Sequence, residues 1–175
     1  MLSKERENAV IELCQALIQQ KSYSGEEQGV VSVLKDYMRE NGFDEVAVDD
    51  YGNLVGCIKG NRPGKKLLFD GHMDTVPVSD PAEWTYPPFA AEIHQGRIYG
   101  RGTSDMKGAL SAMVCAAANF ARDTEKQFAG EVYVAGVVHE ECFEGVAARA
   151  ISKAVNPDYV VIGEASQLNL KIGQR

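Results

Sequence analysis

The chain has little of what small redox or zinc-stapled modules are built from. It carries four cysteines, Cys14, Cys57, Cys115 and Cys142, and three histidines, His72, His94 and His139. No two cysteines form a Cys-x-x-Cys pair, and their wide spacing excludes a zinc knuckle or a small disulfide scaffold. Reduced, mostly buried thiols are expected, Cys142 included. Long apolar runs are also missing. The longest, Ala109 to Ala118 with Ser111 inside it, is far shorter than the roughly 20 residues that span a bilayer. The start, Met1-Leu2-Ser3-Lys4-Glu5-Arg6-Glu7-Asn8, contains acids and lacks the apolar core of a signal peptide, so a cytoplasmic location and no membrane partner are expected. Basic residues are in deficit, with 18 Lys and Arg against 25 Asp and Glu and a formal charge of −7. That balance argues against a nucleic-acid partner, which needs a basic face. There is no internal repeat and no low-complexity segment.

What is present is ordinary globular usage, 45% apolar and 25% charged over 175 residues. A chain of this length can bury about 70% of its unfolded surface and needs no disulfide or metal merely to fold. Val10, Leu13, Cys14, Leu17 and Ile18 recur at helical spacing and predict a helix over about residues 4–20. Ser24-Gly25-Glu26-Glu27 has the form of a capping box and predicts a second helix over about 25–41, stopped at Asn41-Gly42. Short strands are expected at 46–48 and 54–58, a turn at 60–64, and a buried strand at 66–70. A proline-rich loop over 75–90 and a hairpin at 92–99 come next. A helix, apolar almost all round, follows over about 107–121. Strands at 131–138, 159–163 and 168–172, with a helix over about 144–154, complete the pattern. Strands alternating with helices predict an α/β fold, a mixed, mostly parallel sheet with helices on both faces.

In such sheets ligands bind beyond the carboxyl ends of the strands. Four segments there carry metal-capable side chains. His72 and Asp74 follow the strand at 66–70; they lie two apart, so an extended backbone points both to one face, and Asp74 can orient a ligating His72. Gly100-Arg101-Gly102-Thr103-Ser104-Asp105 precedes a helix. It resembles a dinucleotide turn superficially, but Asp105 stands where a pyrophosphate would sit and would repel it. Asp105 can cap the helix, ligate a metal, or do both. Glu140 and Glu141 follow the apolar strand at 131–138, and Glu164 follows the strand at 159–163. Taken singly, each of these is an ordinary turn or cap. Their agreement points to a metal centre, and mixed oxygen and imidazole donors suit zinc, or cobalt or manganese.

Leu68 to Pro77, Gly100 to Gly108, Glu140-Glu141 and Gly163-Glu164 together resemble the co-catalytic zinc hydrolases that include acetylornithine deacetylase, succinyl-diaminopimelate desuccinylase, aminoacylase and carboxypeptidase G. Gly163 to Arg175 looks most like a peptidase branch linked to selenium metabolism. The resemblance implies a zinc-aminopeptidase-like catalytic domain and two divalent ions. Asp105 would bridge them, His72 and Glu164 would complete one, and Glu141 would bind the other. Asp74 would hydrogen-bond His72, and Glu140 would be the general base for a metal-bridging hydroxide that attacks an amide bond in a small peptide or N-acyl amino acid. A cis peptide is implied at Asp105–Met106.

The family's second metal also takes a histidine from late in a longer chain, and neither His94 nor His139 stands at that position. A lid, through which such enzymes form homodimers, is not seen either. The resemblance therefore implies that residues 1–175 are the N-terminal part of an incomplete catalytic domain, impaired alone and with exposed apolar surface. Two other readings are a non-catalytic metal-binding fragment and a nucleotide-binding α/β domain.

Overall fold

A computed structural model describes residues 2–143, 145–167, 169 and 171. Helix α1 (Lys4–Gln19) is capped by the Ser3 hydroxyl, which accepts from the Arg6 amide, and buries Leu13, Cys14, Leu17 and Ile18. Helix α2 (Gln28–Glu40) buries Val30, Leu34 and Met38 along one stripe. The strands that follow are β1 (Glu45–Val48), β2 (Leu54–Lys59) and β3 (Arg62–His72), then the hairpin β4 (Glu92–His94) and β5 (Arg97–Tyr99). Helix α3 (Gly108–Asp123), strand β6 (Ala129–Val137), helices α4 (Glu140–Phe143) and α5 (Val146–Val155), and strand β7 (Tyr159–Ile162) complete the described order.

The main sheet runs β1-β2-β6-β3-β7. Pairs β1–β2 and β2–β6 are antiparallel, while β6–β3 and β3–β7 are parallel. The three strands that precede the candidate ligands thus share one direction, and their carboxyl ends meet on one edge. Helices cover both faces. A side chain at Gly56 would collide with Met38 of α2, and one at Gly71 with Met106 and with Met113 of α3. Gly56 pairs with Val134 and Gly71 with Gly136, two residues apart on β6, so α2 and α3 share a face. Lys66 lies an odd number of residues from Gly71 and points the other way, where its ammonium donates to Val155 O of α5 at 3.0 Å. Helix α3 is sandwiched between the sheet and α1, and it buries Leu110, Val114, Cys115 and four small residues.

Several boundaries differ from the sequence expectation, each for a physical reason. Ser24 does not cap α2. Its hydroxyl donates to the Asp74 carboxylate at 2.6 Å, a charge-assisted bond stronger than a helix cap, and Glu27 stands at the cap position without capping. The turn at 60–64 is shorter because β3 begins at Arg62, which pairs with Ala129 before an irregularity that ends at Lys66. The helix expected over 144–154 is α5, and a separate short helix, α4, precedes it, parted from it at Gly145, whose backbone is in the left-handed region. Asp105 caps nothing. It lies in a π-type turn over Thr103–Lys107, with φ −130° and ψ 95°, and the Asp105–Met106 peptide is cis. Cys14, Cys57 and Cys115 are buried, but Cys142 is exposed, because the first turn of α4 stands clear of the core. Most of the strand expected over 168–172, and much of the stretch from Gly163 to Arg175 that resembles the selenium-linked branch, lie outside the described residues.

Among the described residues strand β7 is the last of the sheet. Tyr159, Val160, Val161 and Ile162 are 62%, 48%, 46% and 62% exposed, although all four are apolar or aromatic. Among the described residues no helix is long and apolar enough to cross a membrane.

Gly130 sits at φ 98°, and a Cβ there would strike the Lys65 carbonyl across the β3–β6 junction. Gly130→Ala is expected to lower folding stability by about 1–3 kcal/mol. A fall in the urea midpoint with an unchanged slope would verify this.

Candidate metal centre

His72 ends β3 and is buried, with a side chain 1% exposed. Its Nδ1 lies 2.9 Å from the main-chain oxygen of Asp74 and 3.5 Å from the Asp74 carboxylate. That contact places a proton on Nδ1 and aims Nε2 outward, 2.9 Å from Asp105 and 3.8 Å from Glu164. Two groups of donor atoms, each within 4.8 Å of one another, share this ring: His72 with Glu140 and Glu164, and His72 with Asp105 and Glu141. All five residues come from the carboxyl ends of β3, β6 and β7 or from the turn before α3.

Asp74 is completely buried. Its carboxylate accepts from the Glu140 amide at 3.1 Å, the Glu141 amide at 3.2 Å and the Ser24 hydroxyl. Sequence spacing put Asp74 beside His72 but gave no sign of this second role, which holds the start of α4. The turn that carries Asp105 is pinned by Lys107. That side chain is fully buried, and its ammonium donates to Leu17 O at 2.9 Å and Gln20 O at 2.8 Å, at the carboxyl end of α1. Burial pulls the Lys107 pKa down to about 8. Sequence reasoning missed Lys107, Ser24 and Glu27. The last two stood in a segment that read as a helix cap.

The other histidines lie elsewhere. His94 stacks on Tyr86 with ring centroids 3.8 Å apart and meets Glu92 at 2.7 Å. His139 has φ 57°, its ring tilted against Phe143 and lying beside Gly25.

The electrostatics of the cluster call for cations. Burial raises the pKa of Glu140, Glu141 and Glu164, and repulsion among the acids adds to it. Burial lowers the His72 pKa, but hydrogen bonds to Asp74 and Asp105 and the field of Glu164 more than offset this and leave it at about 10. The His72 imidazole faces carboxylates at Asp74, Asp105 and Glu164. Imidazole and carboxylate oxygens in two overlapping groups suit divalent metals such as zinc, and two such cations would more than balance three carboxylate ligands. The donor set therefore fits a metal pair.

Asp70, on β3 before His72, is held by burial and by Glu164 at a pKa of about 6. The folded protein then binds this proton more tightly than the unfolded chain. Stability falls as pH rises from about 4 towards 6 and stays lower above. Asp70→Asn is expected to stabilise the metal-free protein, and by more at pH 7.5 than at pH 4.5. Urea midpoints at the two pH values measure the difference.

Residues 68–175 match the sequence family described as peptidase family M20/M25/M40. The chain is 33% identical over 177 aligned residues to succinyl-diaminopimelate desuccinylase 2 of Ruegeria sp. (strain TM1040), covering 94% of this chain and 44% of that protein. It therefore spans less than half the length of this curated relative. The fold resembles the M20 family metallo-carboxypeptidase Sso-CP2 from Sulfolobus solfataricus, with a TM-score of 0.75, 25% identity, and coverage of 92% of this chain and 37% of that one. It also resembles the Bacillus subtilis YXEP protein, a dinuclear metal binding peptidase from the M20 family, with a TM-score of 0.68, 18% identity, and coverage of 92% and 43%. The matched segment begins at Leu68 and takes in His72, Asp105, Glu140, Glu141 and Glu164; the chain belongs to peptidase family M20/M25/M40.

Proposed function

We propose that residues 1–175 form the N-terminal part of the catalytic domain of a dinuclear metallohydrolase that cleaves an amide bond in a small peptide or an N-acyl amino acid. The observation that carries this reading is the convergence of His72, Asp105, Glu140, Glu141 and Glu164 into two donor groups that share one imidazole. Zinc is the metal that the donor set favours, with cobalt or manganese as substitutes. Asp105 would be shared by both ions, His72 and Glu164 would hold one, and Glu141 would hold the other.

Bound there, the ions would polarise the substrate carbonyl and lower the pKa of an attacking water. Glu140 supplies the proton transfers. Its carboxylate accepts a proton from the water as oxygen bonds to the carbonyl carbon, then gives that proton to the departing amine as the C–N bond breaks. Burial raises the Glu140 pKa, which makes it a stronger base and a more readily protonated donor. Asp74 keeps His72 and the start of α4 in place and takes no proton.

The exposed apolar side chains of β7, the last strand of the sheet among the described residues, support the reading that further chain completes this sheet. The desuccinylase relative and the metallo-carboxypeptidase neighbour support the reaction class. A lid and a further histidine would then lie in the remainder of the protein, and the lid would form the homodimer. A second reading, metal binding without turnover, is favoured for these residues alone by the histidine count. The group containing Glu141 has no imidazole besides the shared His72.

Zinc titration of the 175-residue chain, with hydrolysis assays on N-succinyl and N-acetyl amino acids and dipeptides, tests both readings. One tight zinc and negligible turnover are expected here, against two zincs and turnover in a protein that includes the remainder. Two tight zincs with full activity in the 175 residues would sink the incomplete-domain reading. In the longer protein, Glu140→Gln should keep its zinc and lose about 10²–10⁴-fold in kcat. An unchanged kcat removes Glu140 as the base.

A further inference from the structure

Glu27 is 3% exposed and belongs to neither donor group. It stands just before α2, yet its carboxylate bonds to none of that helix's free amides. Instead Oε1 accepts from the Gly25 amide at 2.9 Å and from the His139 amide, 112 residues away, at 3.1 Å. His139 is the residue before Glu140, and its backbone is in the left-handed region at φ 57°. The next two amides, those of Glu140 and Glu141, go to Asp74. Three consecutive backbone N–H groups are thus held by two buried carboxylates, each from a distant segment.

Those two acids head α4, which has four residues. A helix so short has no stability of its own, since nucleation alone is unfavourable. Its direction must be imposed by groups outside it. Asp74 fixes where the helix starts. Glu27 fixes the residue before, where a left-handed turn redirects the chain leaving β6. Without that bond, His139 could relax to the ordinary φ < 0 region and swing both following side chains away from His72.

We propose that Glu27 is a positioning residue for the metal centre: through the His139 amide it sets the direction in which Glu140 and Glu141 project. This rests on the metal-centre reading given above. A burial role alone would not place the carboxylate on an amide of the site; nor would a start signal for α2.

Two conservative variants test it. Glu27→Gln keeps an acceptor at the same reach. Glu27→Asp keeps the charge but is one methylene too short to reach the His139 amide. Zinc affinity of the 175-residue chain is measured by calorimetry, and amide exchange at residues 139–141 is measured by NMR on the metal-free protein, with α3 amides as the internal reference for an intact core. Glu27→Asp is expected to bind zinc about tenfold or more weakly, as loss of a partner behind a ligand does. It should also exchange the 139–141 amides faster, while Glu27→Gln behaves like the parent in both. Parent-like behaviour of Glu27→Asp, or an equal loss in Glu27→Gln, overturns the proposal. If the parent binds no zinc, the metal-centre reading fails by itself. The exchange data then decide alone: faster exchange in Glu27→Asp but not in Glu27→Gln upholds the positioning role, and equal protection in the two removes it.

Discussion

A carboxylate with no solvent must find donors inside the protein, and that of Asp74 finds them in two separate segments. Its oxygens take the Ser24 hydroxyl and the amides of Glu140 and Glu141, while its main-chain oxygen fixes the His72 ring. Leaving a buried charge without such partners costs several kcal/mol, so the loop before α2, the end of β3 and the start of α4 are bound to one arrangement. Burial would raise the Asp74 pKa. The hydrogen bonds outweigh it and keep the group ionised, with its pKa below the usual carboxylate value. A charged anchor suits a site in which Glu140, Glu141 and Glu164 hold their protons more readily.

Around that anchor the sheet does the gathering. Parallel β3, β6 and β7 end on one edge, and each end presents a ligand-capable residue from a different part of the chain. The cis peptide turn adds Asp105 from the side, held to α1 by the buried Lys107 ammonium. The crowding that results is unfavourable in isolation: Glu140, Glu141, Glu164 and Asp70 all resist ionisation. Folding carries this repulsion because the core elsewhere is dense, with α3 enclosed between α1 and the sheet. Local electrostatic cost set against distant packing is the usual signature of a functional site.

Much of this was legible in the residues. Helix positions followed from apolar spacing, and strand ends followed from the change to polar ligands at His72, Glu140 and Glu164. The motif set around Asp105 and the Glu pair carried the family. What stayed hidden was everything that depends on long-range pairing. Ser24 and Glu27 look like a helix cap, because local sequence cannot show that a carboxylate 50 residues later and an amide 112 residues later compete for them. Nothing local marks Lys107, whose ammonium is taken by carbonyls at the carboxyl end of α1. Cys142 reads as core by residue type, yet α4 is too short to bury it. The start of β3 was misplaced because pairing with Ala129 outweighs the turn signal of Pro63-Gly64.

Strand β7 bears on the chemistry as well as on the fold. Among the described residues nothing pairs with its outer edge, and its exposed apolar side chains lie just before Glu164, which is itself 37% exposed at the side chain. Any polypeptide that added a strand there would also displace water from one wall of the donor cluster. The local dielectric would drop, and attraction between the carboxylates and a bound cation would strengthen. Extending the sheet and tightening the grip on metal would then be a single event, so affinity for the cation becomes a gauge of how far the sheet has been completed.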